Sequence, residues 1–264
     1  MAGPSPAVTK EQSQRAVALS KPLSDRVALV TGASRGIGAA VALELAQAGA
    51  HVVAVARTVG GLEELDDKIK AAGGTATLVP LDIKDTDGIL RLALALNERY
   101  GRLDVLVGNA GVLTVPSPVG HIDPKDWDNV IAVNLTANWH LIRALDPLLK
   151  ASAAGRAVFI TSAVAYFARP YFALYAASKA GLDQLVRTYA AECDNTQVRV
   201  NLFSPGQTRT RMMATAFPGI DPETLPTSEQ VATAIVPLCL PACSERGKIY
   251  DFRAGKFLDF RLPA

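Results

Sequence analysis

Tyr175 and Lys179 stand four residues apart in a stretch, about Phe172 to Cys193, whose pattern is helical. At that spacing the two side chains share one helix face. A phenol titrates near 10 and is a poor acid or base at neutral pH. An ammonium beside it favours the phenolate. A drop of roughly three units corresponds to about 4 kcal/mol and brings the group toward the working pH, where general acid–base catalysis is efficient. Ser162 comes thirteen residues before Tyr175, at the end of the apolar run Ala157–Thr161. A hydroxyl there can hold and polarise an oxygen on which charge develops. Together these residue types can exchange a proton with a substrate oxygen. Tyr166 and Tyr171 lie nearby, but neither has a lysine four residues on, and both read as pocket walls.

A second group of residues suits a phosphate ester. The run Thr31-Gly32-Ala33-Ser34-Arg35-Gly36-Ile37-Gly38 sits between an apolar strand, Arg26–Val30, and a helical stretch from Gly36 to Gly49. Glycine gives a bare backbone that can approach a pyrophosphate, and a helix N-terminus offers free N–H groups and a positive dipole end. The next strand, His51–Ala56, runs into Arg57-Thr58 with no acid at its end. A carboxylate there would accept a bond from a ribose 2′-hydroxyl, whereas a guanidinium forks a 2′-phosphate. Arg57, with Arg35 as a second cation, therefore predicts NADP(H) in preference to NAD(H).

The elements that position these residues alternate along the chain. Further strands are expected at Thr77–Leu81, Asp104–Val107, Ala157–Thr161, Val198–Phe203 and Lys248–Phe252. Helices are expected between them, the longest from about Asp126 to Lys150 and from Phe172 to Cys193. Seven strands alternating with helices specify an α/β fold. It is a Rossmann-like, doubly wound, right-handed parallel sheet with helices on both faces. Ligands of such sheets bind at the carboxyl ends of the strands, where Ser162 falls. No linker divides residues 25–264, which read as a single dinucleotide-binding and catalytic domain. Residues 1–24, with Pro4, Pro6 and Pro22, read as a flexible N-terminal extension.

Several short motifs recur in one order: the glycine run, Leu81-Asp82-Ile83, Gly108-Asn109-Ala110-Gly111, Val133-Asn134-Leu135, Ser162, Tyr175-Ala176-Ala177-Ser178-Lys179 and Asn201-x3-Pro205-Gly206-x3-Thr210. In order and spacing the chain resembles the compact short-chain dehydrogenases/reductases, from about Arg26 to Phe252. The resemblance implies NAD(P)-dependent interconversion of a carbonyl and an alcohol. It implies that Ser162, Tyr175, Lys179 and Asn134 are catalytic, Asn134 anchoring a water that links Lys179 to solvent. A positive nicotinamide ring would add to the pull on the Tyr175 proton. By the same resemblance Gly32, Ser34, Arg35, Gly36, Ile37, Gly38, Arg57 and Thr58 contact the cofactor, with Asp82 and Ile83 on its adenine side. Asn109, Ala110 and Gly111 lie under the ribose, and Pro205, Gly206, Thr208 and Thr210 beside the nicotinamide. The chain departs from the family at Gly108, commonly Asn, and at Thr208, often Ile or Val. Enoyl-reductase relatives would need a tyrosine at 172, where this chain has Phe172.

Composition narrows the remaining choices. The 264 residues are 49% hydrophobic and carry a net charge of +2, which excludes whole-chain disorder and gives no field for nucleic acid. Cys193, Cys239 and Cys243 form no disulfide framework and suit a reducing, cytoplasmic setting. His51, His121 and His140 are scattered, so no metal site is expected, and no apolar run is long enough to span a membrane. The expected partner is a small carbonyl or alcohol substrate. It should be hydrophobic, because Leu113, Val164, Phe172, Gln207, Met212, Met213 and Phe217 are the other candidate walls under a loop from Ser204 to Thr227. A catalytically silent NADP(H) sensor or scaffold is the alternative, and an epimerase or dehydratase a third. The apolar residues Val130, Val133, Trp139, Leu141, Leu174, Leu182 and Leu185 suggest a homo-oligomer, dimer or tetramer. The tail residues Phe257, Phe260 and Leu262 are expected at a second subunit interface.

Overall fold

The computed structural model describes residues 21–260. Eight strands form one sheet in the order β3-β2-β1-β4-β5-β6-β7-β8. They are β1 (Val27–Thr31), β2 (His51–Ala56), β3 (Thr75–Pro80), β4 (Val105–Gly108), β5 (Arg156–Ile160), β6 (Arg199–Ser204), β7 (Ile249–Asp251) and β8 (Lys256–Leu258). The first seven run parallel, and β8 turns back antiparallel on β7. The expected count of seven is thus one short. Three residues after a turn carry too little periodicity to be read as a strand.

Helices α1 (Gly36–Gln47), α2 (Val59–Ala71) and α8 (Ser228–Cys239) cover one face of the sheet. Helices α3 (Thr86–Tyr100), α5 (Ala137–Ala151) and α6 (Ala173–Glu192) cover the other. Short helices α4 (Pro124–Ile131) and α7 (Arg211–Ala216) complete the set. All five residues of β1 are buried, since both faces are covered. Val27 and Leu29 enter one core, and Ala28 and Val30 the other, as the two-residue period of a strand requires.

The strand order reverses between β1 and β4, which leaves a crevice at their carboxyl ends. The long helix expected over Asp126–Lys150 is broken by a π-turn, Ala132–Thr136, between α4 and α5. The loop from Ser204 to Thr227 contains α7 and a 3-10 turn, Pro222–Thr224.

Two expectations about the ends need correction. Residues 1–20 of the expected extension lie outside the described residues, but Lys21–Ser24 forms a turn packed on the domain. Leu23 is fully buried, and its N–H donates to the Ala48 carbonyl at 3.0 Å. At the other end, Phe257 meets the Tyr250 ring edge-on at 5.2 Å, and the Arg187 guanidinium lies 4.0 Å over Phe260. Both aromatics pack on their own domain, and Leu262 lies outside the described residues. The helix residues expected to need a partner are mostly satisfied as well. Val130, Val133, Leu141, Leu174 and Leu182 are buried in the core, and Trp139 is 44% exposed.

Candidate active site

The β1–α1 turn reaches its shape through two glycines in the left-handed region, Gly32 at φ 66° and Gly36 at φ 58°. A Cβ on Gly38 would lie 2.3 Å from the Gly32 carbonyl oxygen, so the turn closes only on a bare backbone. No side chain caps the N-terminus of α1, and its first turn holds no acid. Its free N–H groups and positive end suit a phosphate. Arg35 sits at the cap position without a carboxylate partner among the described residues. Arg57 follows β2 and approaches Asp82 at 3.9 Å, a loose and exposed pair.

Thr31 ties this turn to the end of β4. Its hydroxyl oxygen accepts the N–H groups of Asn109 and Ala110, both at 3.0 Å. The Asn109 amide donates back to the Thr31 carbonyl at 2.8 Å. At Gly108, commonly Asn in the family, the Phe159 ring takes the space: a Cβ there would lie 2.3 Å from Phe159 Cδ1.

The proton-handling residues converge from β5 and α6. Ser162 is extended and follows the end of β5, while Tyr175 and Lys179 share one face of α6. Lys179 is 3% exposed. Its Nζ donates to the Ile160 carbonyl at 2.8 Å and lies 5.8 Å from the centre of the Tyr175 ring. Burial lowers its pKa to about 8, against an upward pull from Asp183 one turn along the helix. Tyr175 borders the cleft, and the crowding of protein around its hydroxyl pushes the phenol up to about 12. That is opposite to the expected drop. The expected drop counted a neighbouring ammonium and a bound nicotinamide cation; burial of the phenol works against both, and it is a tertiary property that spacing does not reveal.

Asn134 lies in the π-turn, fully buried. Its amide donates to the Val112 carbonyl at 2.9 Å and to Ser178 Oγ at 3.0 Å, and its Oδ1 accepts from the Val112 N–H at 2.8 Å. It thereby joins the segment after β4 to the residue preceding Lys179. On the β6 side, Gly206 takes φ 66° and the stem of Arg253 lies against it. Thr208 is buried, and the Thr210 side chain caps α7 by accepting from the Met213 N–H at 3.2 Å.

One cleft of about 970 Å³ joins these parts. It is lined by Gly32, Ser34, Arg35, Gly36, Ile37, Gly38, Arg57, Thr58, Asp82, Ile83, Asn109, Ala110 and Gly111 at one end. Ser162, Tyr175, Lys179, Pro205, Gly206, Thr208 and Thr210 line the other. Asn134 stands behind the wall. Leu113, Val164, Phe172, Gln207, Met212, Met213 and Phe217 also line it. Tyr166 and Tyr171 do not, contrary to their reading as its walls. The Tyr166 hydroxyl donates to Asp251 Oδ2 at 3.3 Å, and Tyr171 borders a smaller pocket.

Two contributors escaped sequence reasoning. Gly61 lets α2 press on the glycine turn, since a Cβ there would lie 2.8 Å from the Ser34 carbonyl oxygen. Arg169 lines the cleft over the Phe172 and Phe217 rings. A glycine five residues past the end of β2 could have signalled the first; nothing in the local pattern signals the second. Among the described residues no cluster of histidine, cysteine or acidic side chains could hold a metal, and no helix is long and apolar enough to cross a membrane.

Comparison with known proteins agrees with this arrangement. The uncharacterized oxidoreductase YciK of Escherichia coli K12 is 36% identical over 212 residues, 79% of this chain and 84% of that protein. A short chain dehydrogenase structure from Shigella flexneri 2a, complexed with NADP, superposes with a TM-score of 0.85 at 34% identity. The match covers 89% of this chain and 99% of that one. One from Escherichia coli CFT073, complexed with NADPH, gives a TM-score of 0.82 at 34% identity over 88% and 98% of the two chains. Residues 26–221 match the family described as short chain dehydrogenase, and the chain belongs to it.

Proposed function

We propose that the chain is an oxidoreductase that uses NADP(H) in preference to NAD(H) to interconvert a carbonyl and a secondary alcohol. One observation carries the reading: a single cleft runs from the uncapped α1 N-terminus, flanked by Arg35 and Arg57, to Ser162 and Tyr175. The cofactor fits the residues present, because the glycine turn leaves a bare backbone for a pyrophosphate and the guanidiniums of Arg35 and Arg57, both lining the cleft, suit a 2′-phosphate. Two structural relatives bind NADP or NADPH, which supports the same choice. When bound, the nicotinamide supplies or accepts the hydride.

The protein's own part is proton handling and orientation. With its pKa pushed up to about 12, Tyr175 carries its proton at neutral pH, the form needed to donate to a carbonyl oxygen. Ser162 Oγ donates a hydrogen bond to the same oxygen and polarises it. Lys179, anchored on Ile160 and facing the Tyr175 ring, favours the phenolate left behind. Asn134 holds the backbone around Lys179 and supports the proton relay from solvent. Phe172, Phe217, Met212 and Met213 suit an apolar substrate body. We read the protein as a cytoplasmic homo-oligomer, dimer or tetramer. The free cysteines suit a reducing compartment, and exposed Trp139 and Leu94, at 44% and 63%, leave apolar surface for a partner copy.

The test is a carbonyl panel assayed with both cofactors. An Arg–phosphate pair worth about 1.5–3 kcal/mol predicts a kcat/KM preference for NADPH of roughly 10- to 150-fold. Arg57→Ala should remove most of it. Equal or better turnover with NADH overturns the cofactor assignment.

A further inference from the structure

Arg169, Pro170, Tyr171 and Phe172 form a tight turn, closed by the Phe172 N–H donating to the Arg169 carbonyl at 3.2 Å. Proline in the second position and a positive φ in the third describe a type II turn, whose third residue is ordinarily glycine. Here it is Tyr171, at φ 71°. A bulky side chain in that region stores strain, and such strain persists where surrounding contacts over-determine it. The contact is visible: the Ser117 N–H donates to the Tyr171 carbonyl at 3.0 Å.

The turn sets Arg169 beside Phe172, which lies parallel to Phe217, with centroids 5.4 Å apart and planes 10° apart. The Arg169 guanidinium carbon lies 5.1 Å from the Phe172 centroid and 4.7 Å from that of Phe217. All three side chains line the cleft at its Tyr175 end. Among the described residues no carboxylate pairs with Arg169. Asp251, one of the acids lining the cleft, accepts instead from the Tyr166 hydroxyl and the Ala254 N–H. A guanidinium held over aromatic faces keeps its edge free, and that edge matches a carboxylate bidentately. Helix α6 begins at the next residue, without a side-chain cap and without an acid in its first turn. Its positive end adds to the same field.

We propose that Arg169 is a specificity residue that binds a carboxylate carried by the substrate, so that the preferred substrate is a keto acid with an apolar or aromatic body. The proposal rests on the reductase reading above and names its substrate class. The apolar walls take the body of the molecule, Tyr175 and Ser162 its carbonyl oxygen, and Arg169 its acid group.

A matched pair tests it: benzoylformate and its methyl ester, reduced with NADPH. In Arg169→Gln the kcat/KM for the acid should fall roughly 10- to 100-fold, while that for the ester changes less than about threefold. Arg169→Lys keeps the charge without the planar fork and should recover only part of the loss. The NADPH dissociation constant and melting temperature report that fold and cofactor site are intact. Equal losses for acid and ester, or none for the acid, overturn the proposal and leave the reductase reading standing. If no carbonyl consumes NADPH, the reductase reading falls instead, and calorimetry with benzoate on the NADPH-loaded protein decides about Arg169. A tenfold weaker affinity in Arg169→Gln supports the carboxylate site, and an unchanged affinity removes it.

Discussion

The two edges of the sheet use polar groups in opposite ways. At the amino edge both carboxylate oxygens of buried Asp104 are taken twice. Oδ1 accepts from Ser152 at 2.6 Å and Arg26 at 3.3 Å, and Oδ2 from the Val27 N–H at 2.9 Å and Arg102 at 3.2 Å. Arg156 donates to the carbonyls of Gly155, Gln197, Leu240 and Pro241. At the carboxyl edge Thr161 Oγ1 and Ser204 Oγ are buried, line the cleft and meet no partner at good hydrogen-bond geometry among the described residues. Gly32, Gly36 and Gly206 take positive φ there. One edge spends most of its polar groups on holding strands together, Tyr100 Oη beside His51 being the buried exception; the other turns Thr161 and Ser204 toward a ligand crevice. Stability and chemistry therefore reside on different ends of the same strands.

A reciprocal pair of substitutions could break that division. Asp104→Ala strips four donors of their acceptor and should cost about 3 kcal/mol of stability, with unchanged turnover per folded molecule. Tyr175→Phe should lower kcat about 10²-fold or more and leave the urea midpoint within experimental error. Comparable destabilisation by both would show that the edges are not specialised.

Asp183 sharpens the comparison, because it is a strained group at the chemical edge. Burial pushes its carboxyl up to about 6 from an ordinary 3.8, with the Thr161 hydroxyl, Lys179 and Arg187 pulling the other way. The folded state thus holds this proton longer than the unfolded chain. The stability it contributes is fully present below pH 4 and is lost as pH rises through 6. The stability of wild type relative to Asp183→Asn should fall by at most about 3 kcal/mol as pH rises across that window. Urea midpoints measured from pH 4 to 6.5 check this, and a flat difference would remove the strain.

The smallest effect comes from two matched serines. Ser152→Ala removes a donor to a carboxylate and should cost about 1.5–2 kcal/mol. Ser204→Ala removes a cleft-lining hydroxyl with no well-formed hydrogen bond among the described residues and should change stability by less than about 0.5 kcal/mol. Chemical denaturation of both variants gives the ratio directly.

What was legible in the sequence followed from local pattern. The apolar run before Gly32, the glycine spacing and the four-residue step from Tyr175 to Lys179 each rest on neighbours in the chain, and each is where it was expected. The missed features depend on distant partners. Strand β8 exists because Phe257 meets Tyr250, not because Lys256–Leu258 has a period. Leu23 is anchored by Ala48, and Tyr171 is held in its turn by Ser117. The burial that holds the Tyr175 phenol up likewise depends on the protein packed around its hydroxyl and not on its neighbours in the chain.

The π-turn at Ala132–Thr136 carries a consequence for insertions and deletions. A π-turn holds one residue more than the α-helix it interrupts, and each residue turns a helix by about 100°. Deleting any one residue of this segment would restore regular helical hydrogen bonding. It would also rotate Asn134 relative to α5, away from either Val112 or the helix behind it. Conservative substitutions such as Leu135→Ile leave the count unchanged and should be borne easily. The segment is therefore constrained in length more than in composition, and a chain one residue shorter here would keep a better helix and lose the clamp on Val112 and Ser178.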